Sequence, residues 1–243
     1  MTCEEFSNEF DILINSYSNQ LQFGSISSPL EFDEYEKSVF LTQAQEKIVV
    51  GIYNGNLTGY SLDELEEYRG YLTNLYYETD TGVEEYKSSF LSEMPNLYIY
   101  SPAESPYDTN LAIAILAEYA VFDDDSLGCA NNKGVEVVPI THDELFKIIK
   151  NPFRGPNKRR VLRLQSNDDF HQAVLISKYK LSNYYLRVLK RPDPIILENL
   201  PDELTIQGSN RKSECSLHKT LHRIILETAV QLALASRGVQ LKK

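Results

Sequence analysis

With 243 residues, 42% hydrophobic and 24% charged, the chain can bury one sizeable core and is too apolar for wholesale disorder. No apolar run approaches the roughly 20 residues that cross a bilayer, and the acidic start Met1-Thr2-Cys3-Glu4-Glu5 leads into no apolar segment, so no secretory signal is expected. The net charge of −11 is unevenly spread: residues 1–130 carry 24 Asp/Glu against 4 Lys/Arg (−20), and residues 131–243 carry 11 against 20 (+9). Such a chain either shows opposite faces to different partners or folds its two halves together and neutralises them.

Thr2 and Glu5 form a capping-box pair ahead of Phe6, Phe10, Leu13, Ile14 and Tyr17, whose spacing predicts a first amphipathic helix. Ser28-Pro29-Leu30-Glu31 repeats the signature, with a second start near Asp33. From there Tyr35, Val39, Phe40, Ala44, Ile48 and Ile52 keep helical spacing up to Asn54-Gly55. Ser61 and Glu64 cap a third helix predicted through Leu65, Tyr68, Leu72, Leu75 and Tyr76.

The middle of the chain changes character. Pro95, Pro102 and Pro106 bracket a short strand, Leu97–Tyr100. The run Leu111–Phe122 fits helix or strand, and the acidic stop Asp123-Asp124-Asp125 with the following Val135–Val138 favours a strand pair. Thr141 and Glu144 predict a cap for a short helix, Leu145–Lys150, stopped by Asn151-Pro152. Four further runs, Val161–Leu164, Gln172–Lys180, Tyr184–Leu189 and Ile195–Leu197, separated by turn residues, read as a meander. Residues 201–210 read as a linker before a last helix from about His218 to Ser236. Its apolar cover, including Leu221, Ile225, Leu226 and Leu232, needs burial on several sides, and packing against the first two helices is expected. The fold class is therefore α+β: a bundle built from N- and C-terminal helices plus a mostly antiparallel sheet. The expected division is a helical part over 1–94, a β part over 95–200 with a short helix near 142–150, and a linker and returning helix over 201–243.

Candidate chemistry is sparse. Three widely spaced cysteines, Cys3, Cys129 and Cys215, read as reduced thiols. Cys215, His218 and His222 would share one face if all stood on a helix, a weak metal candidate lacking a fourth ligand; the plainer reading is a helix start with a small buried thiol. His142 and His171 are solitary. Asp123-Asp124-Asp125 lacks the alternating ligands of a calcium loop, and Gly51, Gly55 and Gly59 precede no basic residue. Neither an enzyme nor a cofactor is expected. The best-defined polar cluster is the turn Asn151–Arg160 and the strand after it, with Arg154, Lys158, Arg159, Arg160 and Arg163, and a second basic pair at Lys190-Arg191. These cations suit either phosphates or an acidic protein surface, and the charge division favours protein.

Four segments carry a resemblance: FDEYEKSVFLTQAQEKIV (32–49), NPFRGPNKRRVLRL (151–164), LISKYKLSNYYLRVLKRPDPIILENL (175–200) and LHKTLHRIILETAVQLALAS (217–236). In this order they resemble a structural protein family of crAss-like phages, short-tailed viruses of Bacteroides-type hosts. The resemblance implies a non-enzymatic ring or adaptor at the portal–tail vertex, twelve-fold by analogy with other short-tailed phages. It also implies the partners: copies of itself, the portal, neighbouring tail rings, and genomic DNA passing through the channel without sequence-specific binding. The protein would be made in the host cytoplasm and reside in the virion, with no membrane partner. The alternative is a phage DNA-binding or packaging accessory that uses the basic turn 154–163.

Overall fold

The computed structural model describes residues 1–21, 30–57, 59–85, 96–100, 112–165 and 173–238. The expected turn at Ser28-Pro29, the prolines 95, 102 and 106, the turn 166–169 and His171 lie outside the described residues. The chain forms two compact units: Met1–Leu75 with Arg191–Lys243, and Tyr76–Lys190.

The first unit is helical. Helix α1 (Cys3–Leu21) begins at the expected box, with Thr2 N donating to Glu5 Oε2 at 2.8 Å and Glu5 N to Thr2 Oγ1 at 3.2 Å. Helix α2 (Glu34–Asn54) starts at Asp33, which shares a capping box with Glu36, and stops at Gly55, whose φ of 68° is the left-handed conformation that glycine adopts without a Cβ clash. Helix α3 (Leu62–Gly70) is capped by Ser61 and Glu64 as expected but ends six residues before Tyr76. Gly70 is a poor helix former, and a 3₁₀ turn at Thr73–Leu75 buries Leu72 and Leu75 instead. The last helix of the chain, α5 (Lys219–Ser236), packs against α1 and α2. Phe6, Phe10 and Ile14 of α1, Leu41, Ile48 and Ile52 of α2, and Leu221, Ile225 and Leu226 of α5 are all buried.

Residues 193–197 do not form a strand of the sheet. They run extended against α2 in the helical unit, where Ile195 and Ile196 are fully buried. Pro192 and Pro194 deprive this run of ladder donors; Ile196 makes one backbone bridge, to Ser213, and polar side chains one turn apart on α2 hold the residues around it. Thr42 Oγ1 accepts from Ile195 N at 3.1 Å and donates to Ile195 O at 3.3 Å. Ser38 Oγ accepts from Leu197 N at 3.0 Å, and Gln45 Nε2 donates to Asp193 O at 3.1 Å. The spacing matches because four helical residues rise about 6 Å, close to the advance of two extended residues. Residues 201–210 are no linker either: Leu200 N donates to Asn210 O at 2.8 Å, and Ile206 is buried with Ile196 and Leu200.

Among the described residues, the second unit is one sheet of eight strands: β1 (Tyr76–Gly82), β2 (Glu84–Glu85), β3 (Asn96–Tyr100), β4 (Ala112–Phe122), β5 (Gly134–Ile140), β6 (Arg160–Gln165), β7 (Ala173–Ser177) and β8 (Leu181–Lys190). Their order is β1-β8-β4-β5-β6-β7-β3-β2. Every pairing is antiparallel except β5 with β6. A parallel pair needs a crossover, and the chain between β5 and β6 supplies it with α4 (Leu145–Ile149). The expected meander fails beyond β6–β7: β8 lies between β1 and β4, far from β7 in the sheet. The predicted cap of α4 also differs, since Glu144 occupies the N-cap position without a side-chain bond. Tyr98 of β3 shares one apolar cluster with Phe122 of β4 and Tyr184 of β8, so the sheet curls around that face. The opposite face is covered by Leu145 and Ile148 of α4 over β6 and β7.

Charge is redistributed by this division. The helical unit holds 19 carboxylates against 11 cations and the sheet unit 16 against 13, so their net charges are −8 and −3 rather than −20 and +9. Arg223 with Glu9 (3.4 Å), Arg237 with Glu36 (3.2 Å) and Arg191 with Glu46 (3.2 Å) bind cations from late in the chain to carboxylates from early in it. Much of the division along the chain is thus neutralised inside the fold.

Candidate functional site

The basic turn is tightly built. Asn151 Oδ1 accepts from Phe153 N at 2.9 Å and Arg154 N at 3.2 Å, while Gly155 N donates to Asn151 O at 2.8 Å. A Cβ on Gly155 would lie 2.9 Å from Asn151 O and 3.1 Å from Ile149 O, so only glycine fits. Beyond it, Asn157 and Arg160 exchange backbone bonds of 2.9 and 3.1 Å, and Lys158-Arg159 form the tip of a two-residue hairpin. Arg154, Lys158 and Arg159 are exposed. Arg160 is half-buried, donates to Phe153 O at 3.4 Å, and has a buried Nε with no hydrogen-bond partner among the described residues. The most exposed large apolar side chain on this surface is Phe153, at 87%. Sequence reasoning missed it, although an aromatic in a Pro/Gly turn among cations has nothing nearby to cover it.

Arg163 does not join that surface. It points to the inner side of the curl, 7% exposed, where Nε donates to Glu118 Oε2 at 2.7 Å and Tyr184 Oη donates to the same oxygen at 2.6 Å. Lys190 closes β8, whereas Arg191 opens the return to the helical unit and pairs with Glu46. The seven predicted cations therefore divide: three exposed on the turn, Arg160 bracing it, and Arg163, Lys190 and Arg191 elsewhere.

The three metal candidates also separate. Helix α5 starts at Lys219, so Cys215 precedes it and the shared helical face does not form. His218 is the N-cap, its Nδ1 accepting from Thr220 N at 3.4 Å, and its ring stacks on Tyr71 at 4.4 Å. His222 is buried, with Nε2 3.0 Å from Leu217 O and Nδ1 2.6 Å from the Met1 nitrogen. Burial, above all, holds its imidazole below the usual histidine range, and the Leu217 carbonyl opposes this. Burial likewise pushes the Cys215 thiol up to about 11. Among the described residues, no group of three His, Cys, Asp or Glu is placed to hold a metal ion. The acidic turn is occupied internally: Lys180 Nζ lies 2.9 Å from Asp123 Oδ2, and Asp124 accepts from Ser126 N and Lys180 N. Of the α5 residues expected to pack, Leu221, Ile225 and Leu226 are fully buried and Leu232 is half-buried.

A second cation was not foreseen. Lys37 of α2 is 4% exposed and reaches Asp11 Oδ2 at 2.7 Å, Glu34 Oε1 at 2.9 Å and Ser7 Oγ at 3.1 Å. Burial alone would lower its pKa, but the bonds to Asp11 and Glu34 prevail and hold the ammonium above the ordinary lysine value.

What these residues build is an exposed basic turn and internal bracing. The chain belongs to the phage tail ring protein 3/4 family, whose model matches residues 1–243. It is 43% identical to Ring protein 3 of Bacteroides phage crAss001 over 241 residues, which cover 98% of this chain and 96% of that protein. It is 30% identical to Ring protein 4/5 of the same phage over 244 residues, covering 97% and 93%. The protein is a phage tail structural component, and no described helix is long and apolar enough to cross a membrane.

Proposed function

We propose that this chain forms a closed homo-oligomeric ring at the portal–tail vertex of the virion and frames the channel through which the genome leaves. The match to the tail ring family over residues 1–243 carries this reading. A closed ring joins copies by two different surfaces of each subunit. The exposed turn Phe153–Arg159 is a surface of the required kind, since it is basic and aromatic on a chain of net charge −11. A net acidic subunit also suits a DNA conduit, whose walls must not bind phosphates. Twelve copies, with the portal and other tail rings as neighbours, complete the proposal; the ring performs no chemistry.

The DNA-binding alternative loses support from the burial of Arg163 against Glu118, which leaves fewer cations for phosphates. The test uses Arg154→Glu with Arg159→Glu, because both side chains are exposed whereas Arg160 braces the turn. Native mass spectrometry should find one large defined oligomer for the unaltered chain and a smaller or mixed population for the variant. An unchanged oligomer together with weakened, salt-dependent DNA affinity would favour the alternative.

A further inference from the structure

The half of the outer sheet face that α4 leaves bare carries a groove. A cavity of about 510 Å³ opens there over β1, β8 and β4, lined by Glu78, Ala117, Tyr119, Tyr185 and Arg187 among others. Tyr119 and Tyr185 are cross-strand partners whose rings stack at 4.5 Å and 7°, and Tyr119 remains 45% exposed. Gly134 permits this arrangement, since a Cβ there would lie 3.2 Å from the Tyr119 ring. The rim carries the Glu78–Arg187 ion pair, and exposed Glu136 is the register partner of Tyr119 on β5.

We propose that this groove is the socket for the basic turn of a neighbouring copy, with Phe153 seated on the Tyr119–Tyr185 stack. The inference rests on the ring reading above and names its subunit contact. Size agrees, because a cavity of about 150 Å³ holds a benzene ring and the groove exceeds that by enough to take an arginine stem as well. Chemistry agrees too: an aromatic knob finds an aromatic floor, and the cations of the turn find the exposed carboxylate of Glu136 beside it. Knob and socket are different surfaces. The turn leads into β6, and the socket centres on β8, three places along the curled sheet, with Glu136 of β5 between them. Contacts of this head-to-tail kind propagate from copy to copy until a ring closes.

The test replaces Phe153 in the full chain with a photoreactive benzophenone residue and mixes light with isotope-labelled copies. Crosslinks between copies should map to the peptides carrying Ala117–Tyr119 or Tyr185–Arg187. Crosslinks to any other peptide of an assembled oligomer, or only within one copy, would overturn the socket while leaving the ring reading intact. A chain that stays monomeric at every concentration would remove both. Phe153→Ala, harmless to folding because the ring is exposed, should raise the concentration for half-assembly about tenfold or more. Tyr119→Ala should act alike, and the double variant should be little worse than either single one. Full additivity of the two would overturn the pairing.

Discussion

Thr42 and Ile195 exchange two hydrogen bonds, the hydroxyl accepting from the Ile195 amide at 3.1 Å and donating to its carbonyl at 3.3 Å. One side chain of α2 thereby does for Ile195 what a neighbouring strand would do. Thr42→Val keeps the shape and leaves both buried backbone groups unpaired, at a cost of about 1–3 kcal/mol. Urea titration should register the loss, and amide exchange at Ile195 and Leu197 should accelerate. Unchanged exchange at those amides would mean that the contact does not hold the segment.

The Arg163–Glu118 pair lies on the inner side of the curled sheet, with side chains 8% and 10% exposed. Glu118→Gln leaves a guanidinium buried without its counter-charge, so a destabilisation of about 3–5 kcal/mol is expected. Replacing both residues with apolar ones of similar volume should cost much less than the two single losses combined. A single-site loss below about 1 kcal/mol, the range of exposed pairs, would contradict the burial.

His222 makes stability depend on mildly acid pH. Burial is the main cause of its lowered pKa, so below its ordinary value near 6.5 the unfolded chain takes up a proton that the folded chain refuses. Its contribution is complete above 6.5 and is lost as pH falls toward the lower folded value. The melting temperature of His222→Gln should therefore vary less between pH 7 and pH 5 than that of the unaltered chain. Parallel curves would show that the imidazole titrates normally.

Thiol labelling should separate the cysteines. Cys129 is exposed, whereas Cys3 is buried and Cys215 is held near 11 by burial. Only the thiolate reacts, so at pH 8 iodoacetamide should modify Cys129 first, with Cys3 and Cys215 modified on unfolding. Equal rates at all three in the folded protein, followed by peptide mapping, would refute this ordering.

What the sequence revealed was local. Thr2/Glu5 and Ser61/Glu64 announce helix starts because each cap lies within one turn of its partner, while the box of Asp33 with Glu36 showed itself only in the structure. The choice of strand for Leu111–Phe122 could be read from its stop signals. Pairing could not: β5 meets β6 in parallel and β8 inserts between β1 and β4, and neither follows from periodicity within a single strand. Ile195–Leu197 has the composition of a strand, yet Ile195 and Leu197 are held by Thr42 and Ser38, which look merely polar in an α2 pattern, and Ile196 by a single bridge to Ser213. Arg163 reads as one more cation of the basic turn because alternation puts it on the inner side only once the curl is known. The groove escaped notice for a similar reason, since Tyr119 and Tyr185 lie 66 residues apart in the chain and meet only through register.

The helical unit is assembled from stretches on either side of the sheet unit, and α5 follows everything it packs against. During synthesis, which proceeds from the N-terminus and lets domains form as they emerge, residues 76–190 are complete before α1 and α2 receive their cover. Until translation reaches Ser236, Phe10 and Leu41 stay without the helix that closes over α1 and α2.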